Sequence, residues 1–186
     1  MILIDNYDSF TYNIVHYFKE MGVNPRVFTR NEIDVKAFAD IDFDRIVLSP
    51  GPGHPIEADL CLDLIHRYHP TKKILGICLG HQCIAHAFGA SIGKDQCPTH
   101  GKTSAVYHTG TSLFKGIPQG FSACRYHSLI VDRHTLHPPL EITAQTQTGI
   151  VMGIQHRYYP IFGLQFHPEA ILTEYGKVLL RNFLDF

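Results

Sequence analysis

Residues 74–82 read Ile-Leu-Gly-Ile-Cys-Leu-Gly-His-Gln, and no other stretch restricts the fold as much. An apolar run of strand length, Lys73–Ile77, passes through Gly76-x-Cys78-x-Gly80 into a segment of helical spacing near Gly80–Phe88. A strand that turns sharply into a helix brings its own backbones too close for Cβ atoms, so small residues must flank the turn. The geometry presents residue 78 at the carboxyl end of the strand, where ligands of open α/β sheets gather.

The rest of the chain agrees with a sheet of that kind. Met1–Ile4 reads as a buried parallel strand. Asp8 or Ser9 can cap a helix from Phe10 to Met21, with Ile14, Phe18 and Met21 at helical spacing and Gly22 as the stop. Pro25–Thr29 and Arg45–Leu48 read as further strands, the latter ending at Ser49-Pro50-Gly51-Pro52-Gly53, and a helix from Ile56 to Tyr68 carries Leu60, Leu64 and Ile65 on one face. Alternating strands and helices imply parallel βαβ units covered on both faces. In the second half, Thr103–His108, Ser122–Tyr126, Leu129–Val131, Ile142–Gln147, Ile150–Gln155 and Ile161–Phe166 read as short strands between turns. A last helix, Tyr175–Phe186, turns Val178, Leu179 and Phe183 to the core. One α/β domain over residues 1–186 is expected, with a mostly parallel central sheet flanked by helices and a smaller antiparallel sheet.

Composition narrows the function. With 16 Lys+Arg against 17 Asp+Glu the net charge is −1, without the basic excess of a nucleic-acid binder. No apolar run approaches the roughly 20 residues that cross a bilayer. The opening Met1-Ile2-Leu3-Ile4-Asp5 has no basic segment and does not read as a signal peptide. Five cysteines without a CxxC pair make no disulfide framework, so the cytoplasm is the expected compartment. The 13 histidines include no HExxH and no Cys/His knuckle, so no metal site and no cofactor is expected.

Cys78 is the candidate nucleophile. The helix that starts beside it aims unpaired N–H groups and a partial positive charge at the sulfur, favouring thiolate, and offers the Leu79 N–H to an oxyanion. Cys61, Cys83, Cys97 and Cys124 lack that context and read as ordinary small residues. A nucleophilic cysteine needs an oriented base. In Gln165-Phe166-His167-Pro168-Glu169, an extended chain puts His167 and Glu169 on one side, where the carboxylate can fix the imidazole tautomer. Pro168 marks a strand edge or end. In the 49–53 loop the prolines have no N–H, so only glycines offer backbone donors, and Gly51 is the expected second oxyanion donor beside Leu79.

Together, Gly51-Pro52-Gly53, Gly76–Gln82 and Phe166-His167-Pro168-Glu169 resemble the glutamine amidotransferase domains of the Cys-His-Glu triad class (class I), in order and over the whole chain. Asp5–Thr11 (Asp-Asn-Tyr-Asp-Ser-Phe-Thr), His100–Ser104 and Arg125–Leu129 narrow the likeness to the small glutaminase subunits of anthranilate synthase and aminodeoxychorismate (para-aminobenzoate) synthase. The resemblance implies a flavodoxin-like three-layer fold and a catalytic triad of Cys78, His167 and Glu169. It implies that Gly51, Pro52, Gly53, Gln82, Ser128 and Leu129 hold L-glutamine. It further implies hydrolysis of glutamine through a cysteine thioester, with ammonia delivered to a chorismate-aminating synthase subunit in a heterodimer or larger assembly, for tryptophan or folate synthesis. The length leaves no room for a chorismate-binding domain, so a partner is expected to dock, complete the site and raise turnover.

Two positions depart from the family pattern. Ala170 follows His-Pro-Glu where Ser is usual, and Thr99 precedes His100 where an apolar residue is usual. Three rival readings fit the residues less well. The glutaminase part of another synthase, making guanylate or carbamoyl phosphate, fits Asp5–Thr11 poorly. A cysteine peptidase has no need of the Gly51–Gly53 loop or Gln82. A non-enzymatic flavin- or nucleotide-binding module wants a phosphate cradle where Asp5 and Asp8 bring carboxylates.

Overall fold

The computed structural model describes residues 1–186. Its apolar runs become the parallel strands β1 (Ile2–Asp5), β2 (Arg26–Thr29), β3 (Arg45–Leu48) and β4 (Lys73–Ile77). Between and after them lie helices α1 (Thr11–Glu20), α2 (Asp59–Tyr68), α3 (Leu79–Ala87) and α4 (Gly176–Leu184). Alternation along each strand feeds two cores. Ile2, Ile4, Ile46, Leu48 and Ile74 pack with α2 and α3 on one face. Leu3, Val47, Leu75 and Ile77 pack with α1 and α4 on the other. Each such side chain contributes about 1.5–3 kcal/mol on burial, so strands this short are held by both their faces.

The second half forms β5 (Ile92–His108), β6 (Phe121–Val131), β7 (Leu140–Thr146), β8 (Val151–His156) and β9 (Ile161–Leu164). These continue the first sheet, giving nine strands in the order β2-β1-β3-β4-β9-β8-β7-β5-β6. β9 is the pivot, parallel to β4 on one side and antiparallel to β8 on the other. The sheet therefore has a parallel half and an antiparallel half. No helix is long and apolar enough to cross a membrane.

Several boundaries differ from the sequence reading, each for a physical reason. α1 starts at Thr11, and neither Asp8 nor Ser9 is its cap residue; Phe10 is, while the Asp8 carboxylate accepts from the Phe10 N–H at 2.8 Å. The expected helix 56–68 is split. Pro55–Glu57 forms a 3₁₀ turn, Ala58 leaves helical geometry at φ −99°, ψ 54°, and α2 begins after it. Val178 faces outward, because the buried face of α4 is Gly176, Leu179, Leu180 and Phe183, and residue 178 falls off that stripe. β5 begins at Ile92, well before the expected Thr103. Its first part is mostly exposed and carries no alternating pattern; pairing with β6, across two register shifts, is what makes it a strand. The separate strands expected at Ser122–Tyr126 and Leu129–Val131 are one, β6.

Candidate active site

The chain turns from β4 into α3 at Cys78, whose φ of 52° and ψ of −101° lie outside the regions favoured by L-residues. Such a conformation costs about 1–3 kcal/mol and persists only when its surroundings fix it. Here the Cys78 N–H donates to the Leu164 carbonyl at 2.8 Å and the Gln82 N–H donates to the Cys78 carbonyl at 3.1 Å. Both flanking glycines are required by close approach. A Cβ on Gly76 would stand 2.3 Å from the Gly80 carbonyl oxygen, and one on Gly80 would stand 2.4 Å from that of Leu48. Leu79 opens α3 with its N–H free of any acceptor in the chain.

His167 and Glu169 meet, though not along a strand. β9 stops at Leu164, and residues 165–170 turn. The ring Nδ1–H of His167 donates to Glu169 Oε1 at 2.6 Å, both side chains being buried. The turn is pinned at His167 itself. Its N–H donates to the Cys124 carbonyl at 3.0 Å, and its carbonyl accepts from the Thr173 hydroxyl at 2.6 Å. Thr173 in turn accepts from the Cys124 N–H at 2.9 Å, clamping the turn to β6. Pro168 sits past the end of a central strand, as its missing donor requires. Rings of Tyr126 and Phe10 lie 5.1 and 6.2 Å from the imidazole. Burial opposes protonating His167, but the adjacent Cys78 thiol and Glu169 carboxylate outweigh it and hold the imidazole well above its usual range.

The third element is the loop after β3. The Asn6 N–H donates to Ser49 Oγ and Asn6 Nδ2 to the Ser49 carbonyl, both at 2.9 Å, tying this loop to the one after β1. Gly51 packs so tightly that a Cβ there would stand 2.4 Å from the Asn6 carbonyl oxygen, and its N–H has no acceptor in the chain. Gly53 has φ +90°. The sheet order turns around β1, which lies between β2 and β3, so the chains leaving β1 and β3 open a crevice at their carboxyl ends. The cavity there measures about 580 Å³ and is lined by Tyr7–Phe10, Pro50–Pro52, Cys78, His100, Tyr126 and His167. A larger hollow of about 960 Å³ lies between β5–β6 and the Thr146–Ile150 turn. Its lining includes Cys97 and His134 but neither Cys78 nor the carboxylate-paired His167, so the smaller cavity is the candidate site.

Not every expected contact lines this cavity. Gly53, Gln82, Ser128 and Leu129 lie outside its lining. Gln82 is buried, and its Nε2 donates to the Leu129 carbonyl at 3.0 Å and to Gln165 Oε1 at 3.1 Å. Both amide hydrogens are thus committed, and only Oε1 remains to meet a ligand, as an acceptor. Asp8, for which the sequence offered no catalytic or substrate-binding role, lines the cavity. Burial raises its pKa, against the lowering influence of the Phe10 N–H and His167. Gln165 was legible in principle, because an extended chain puts it on the face of His167. Thr173 left no sequence signal beyond its type. No group of three His, Cys, Asp or Glu side chains gathers where it could hold a metal ion.

The family model of glutamine amidotransferase class-I matches residues 2–186. Aminodeoxychorismate synthase component 2 of Klebsiella aerogenes is 45% identical, the alignment covering 100% of this chain and 99% of that protein. Anthranilate synthase component 2 of Azospirillum brasilense is 45% identical over 100% of this chain and 95% of the relative. The bifunctional protein TrpGD of Thermotoga maritima is 46% identical over 100% of this chain, which spans only 32% of its length. Among solved structures, a Thermoplasma acidophilum protein described as one subunit of a GMP synthase superposes with a TM-score of 0.86 at 30% identity, covering 99% of this chain and 91% of that one. On fold, motif order and full-length similarity alike, the chain belongs to the class-I glutamine amidotransferases.

Proposed function

We propose that the chain is the glutaminase subunit of a chorismate-aminating synthase, with Cys78, His167 and Glu169 as its catalytic triad. One observation carries the assignment of roles: a strained, cavity-facing cysteine shares its cavity with an imidazole whose far nitrogen is held by a buried carboxylate. The Cys78 thiolate attacks the carboxamide carbon of L-glutamine, and the carbonyl oxygen takes up the displaced electron pair. The N–H groups of Leu79 and Gly51, both without acceptors, stabilise that oxyanion. His167 Nε2, which makes no hydrogen bond to nitrogen or oxygen, gives its proton to the departing nitrogen, releasing ammonia and leaving a glutamyl thioester. It then takes a proton from water, whose oxygen attacks the thioester and yields glutamate and the thiolate. Glu169 holds the imidazole with Nε2 toward the sulfur and stabilises the imidazolium. Gly51 and Pro52 hold the substrate from the cavity wall; the family resemblance adds Gly53, Ser128 and Leu129 as contacts beyond that lining, with Gln82 Oε1 accepting from the ammonium.

Ammonia passes to a synthase subunit that aminates chorismate, toward anthranilate or 4-amino-4-deoxychorismate. The full-length relatives carrying those two names at 45% identity favour this partner over a guanylate-forming one. The test mixes the chain with each candidate synthase subunit, chorismate and glutamine, and identifies the aromatic product. Cys78→Ser should abolish glutamine-dependent synthesis and leave synthesis from ammonium salts intact. Loss of both would refute the division of labour between the subunits. Equal glutaminase rates with and without the partner would refute control by docking.

A further inference from the structure

Behind the thiol runs a buried polar chain whose innermost member, Gln165, the reaction above leaves unused. Gln165 is fully buried, and its Nε2 stands 3.8 Å from Cys78 Sγ. Amide orientations are ordinarily assigned from the surrounding network, and here a backbone group settles two of them in succession. The Leu129 carbonyl can only accept, so the Gln82 atom 3.0 Å from it must be the amide nitrogen. That nitrogen's second hydrogen meets Gln165 at 3.1 Å and requires an oxygen there. Gln165 is therefore locked with Oε1 toward Gln82 and its NH₂ toward the sulfur. The flipped amide would set an oxygen against the sulfur and an NH₂ against an NH₂.

We propose that Gln165 is a positioning residue for Cys78, its amide N–H oriented through Gln82 by the Leu129 carbonyl so as to favour the thiolate and hold the sulfur toward the cavity. The proposal rests on Cys78 being the nucleophile. An N–H donated to sulfur is worth more to the anion than to the thiol. At 3.8 Å the contact is long, so its removal should move the thiol's ionisation and leave the fold in place.

The experiment follows alkylation of Cys78 by iodoacetamide across pH, read peptide by peptide so that exposed Cys97 does not interfere. Gln165→Leu removes the donor at similar volume. Gln165→Glu keeps an acceptor for Gln82 and turns a carboxylate oxygen to the sulfur. The alkylation midpoint should rise in both, by about half to one pH unit for Leu and further for Glu. Below the midpoint the glutaminase kcat/KM should fall by about three- to tenfold for Leu, as that shift requires, and recover above the new midpoint. A purely structural role would lower activity at every pH alike. In the wild-type chain the Gln165 side-chain amide resonances should titrate together with Cys78 and stop doing so in Cys78→Ser, a readout independent of whether the variants fold. Unmoved midpoints, or amide resonances indifferent to the thiol, overturn the proposal. Activity that survives complete alkylation of Cys78 instead overturns the nucleophile assignment on which it rests.

Discussion

His167 holds its proton more tightly than a free imidazole because two acidic neighbours, thiol and carboxylate, outweigh the burial that would expel it. The sign of the consequence follows from the role of that proton. In the proposed reaction it is given to the leaving nitrogen, so activity should fail on the alkaline side, as pH rises through the elevated value. The alkaline limb of kcat/KM should accordingly lie well above the 6.5 of an unperturbed imidazole. Glu169→Gln removes one of the two supports and should draw that limb downward while reducing kcat. A pH–rate profile whose alkaline limb ignores the substitution would count against Glu169 as the partner that sets it. Asp8, on the cavity wall with a raised pKa, adds a carboxyl that the reaction does not require but whose charge His167 feels.

The element that makes the site is the turn from β4 to α3, and its strain can be measured. Cys78→Gly and Cys78→Ala both lose the sulfur, but only Ala keeps a Cβ at φ 52°. Gly should therefore be the more stable of the two by about 1 kcal/mol in urea unfolding, with both inactive. Equal stabilities would mean that the turn stores nothing. This element was legible in the sequence because its demands are local: two glycines, an apolar strand and a helix within nine residues. The loop at 49–53 was legible for the same reason. The pairing of His167 with Glu169 was foreseen, but by an extended chain. It is in fact made by a turn that depends on Thr173 and Cys124, partners no spacing rule connects. The long β5 was half missed because its polar first part owes its conformation to β6, not to its own residues. The capping of α1 and the break at Ala58 likewise turn on side-chain and proline geometry that periodicity does not report.

Across the whole molecule, two buried histidines tie stability to pH. Burial pushes His81 and His127 down to about 3, the nearby Arg125 also opposing a charge on His127. Below 6.5 the unfolded chain takes up protons that the native chain refuses. Their contribution is thus complete above that pH and is lost as pH falls from 6.5 toward 3. Each costs up to about 1.4 kcal/mol per pH unit in that window. Urea unfolding between pH 6 and 4.5 should show a steep decline. His127→Gln, which keeps an acceptor for the Arg125 Nε–H, should shed up to about half of that slope. An unchanged slope would show that His127 is protonated in the native chain. The sheet order has a consequence for synthesis. β4 pairs with β3 as soon as it is made, but its second neighbour, β9, comes only after the entire antiparallel half has left the ribosome. Until then β4 is a bare apolar edge, open to chaperones and to unwanted pairing. When β9 arrives it lends its Leu164 carbonyl to the cysteine and leads directly into the histidine. On the proposed assignment, the nascent chain therefore carries its nucleophile without a base, and the same closing strand that completes the sheet brings the two together.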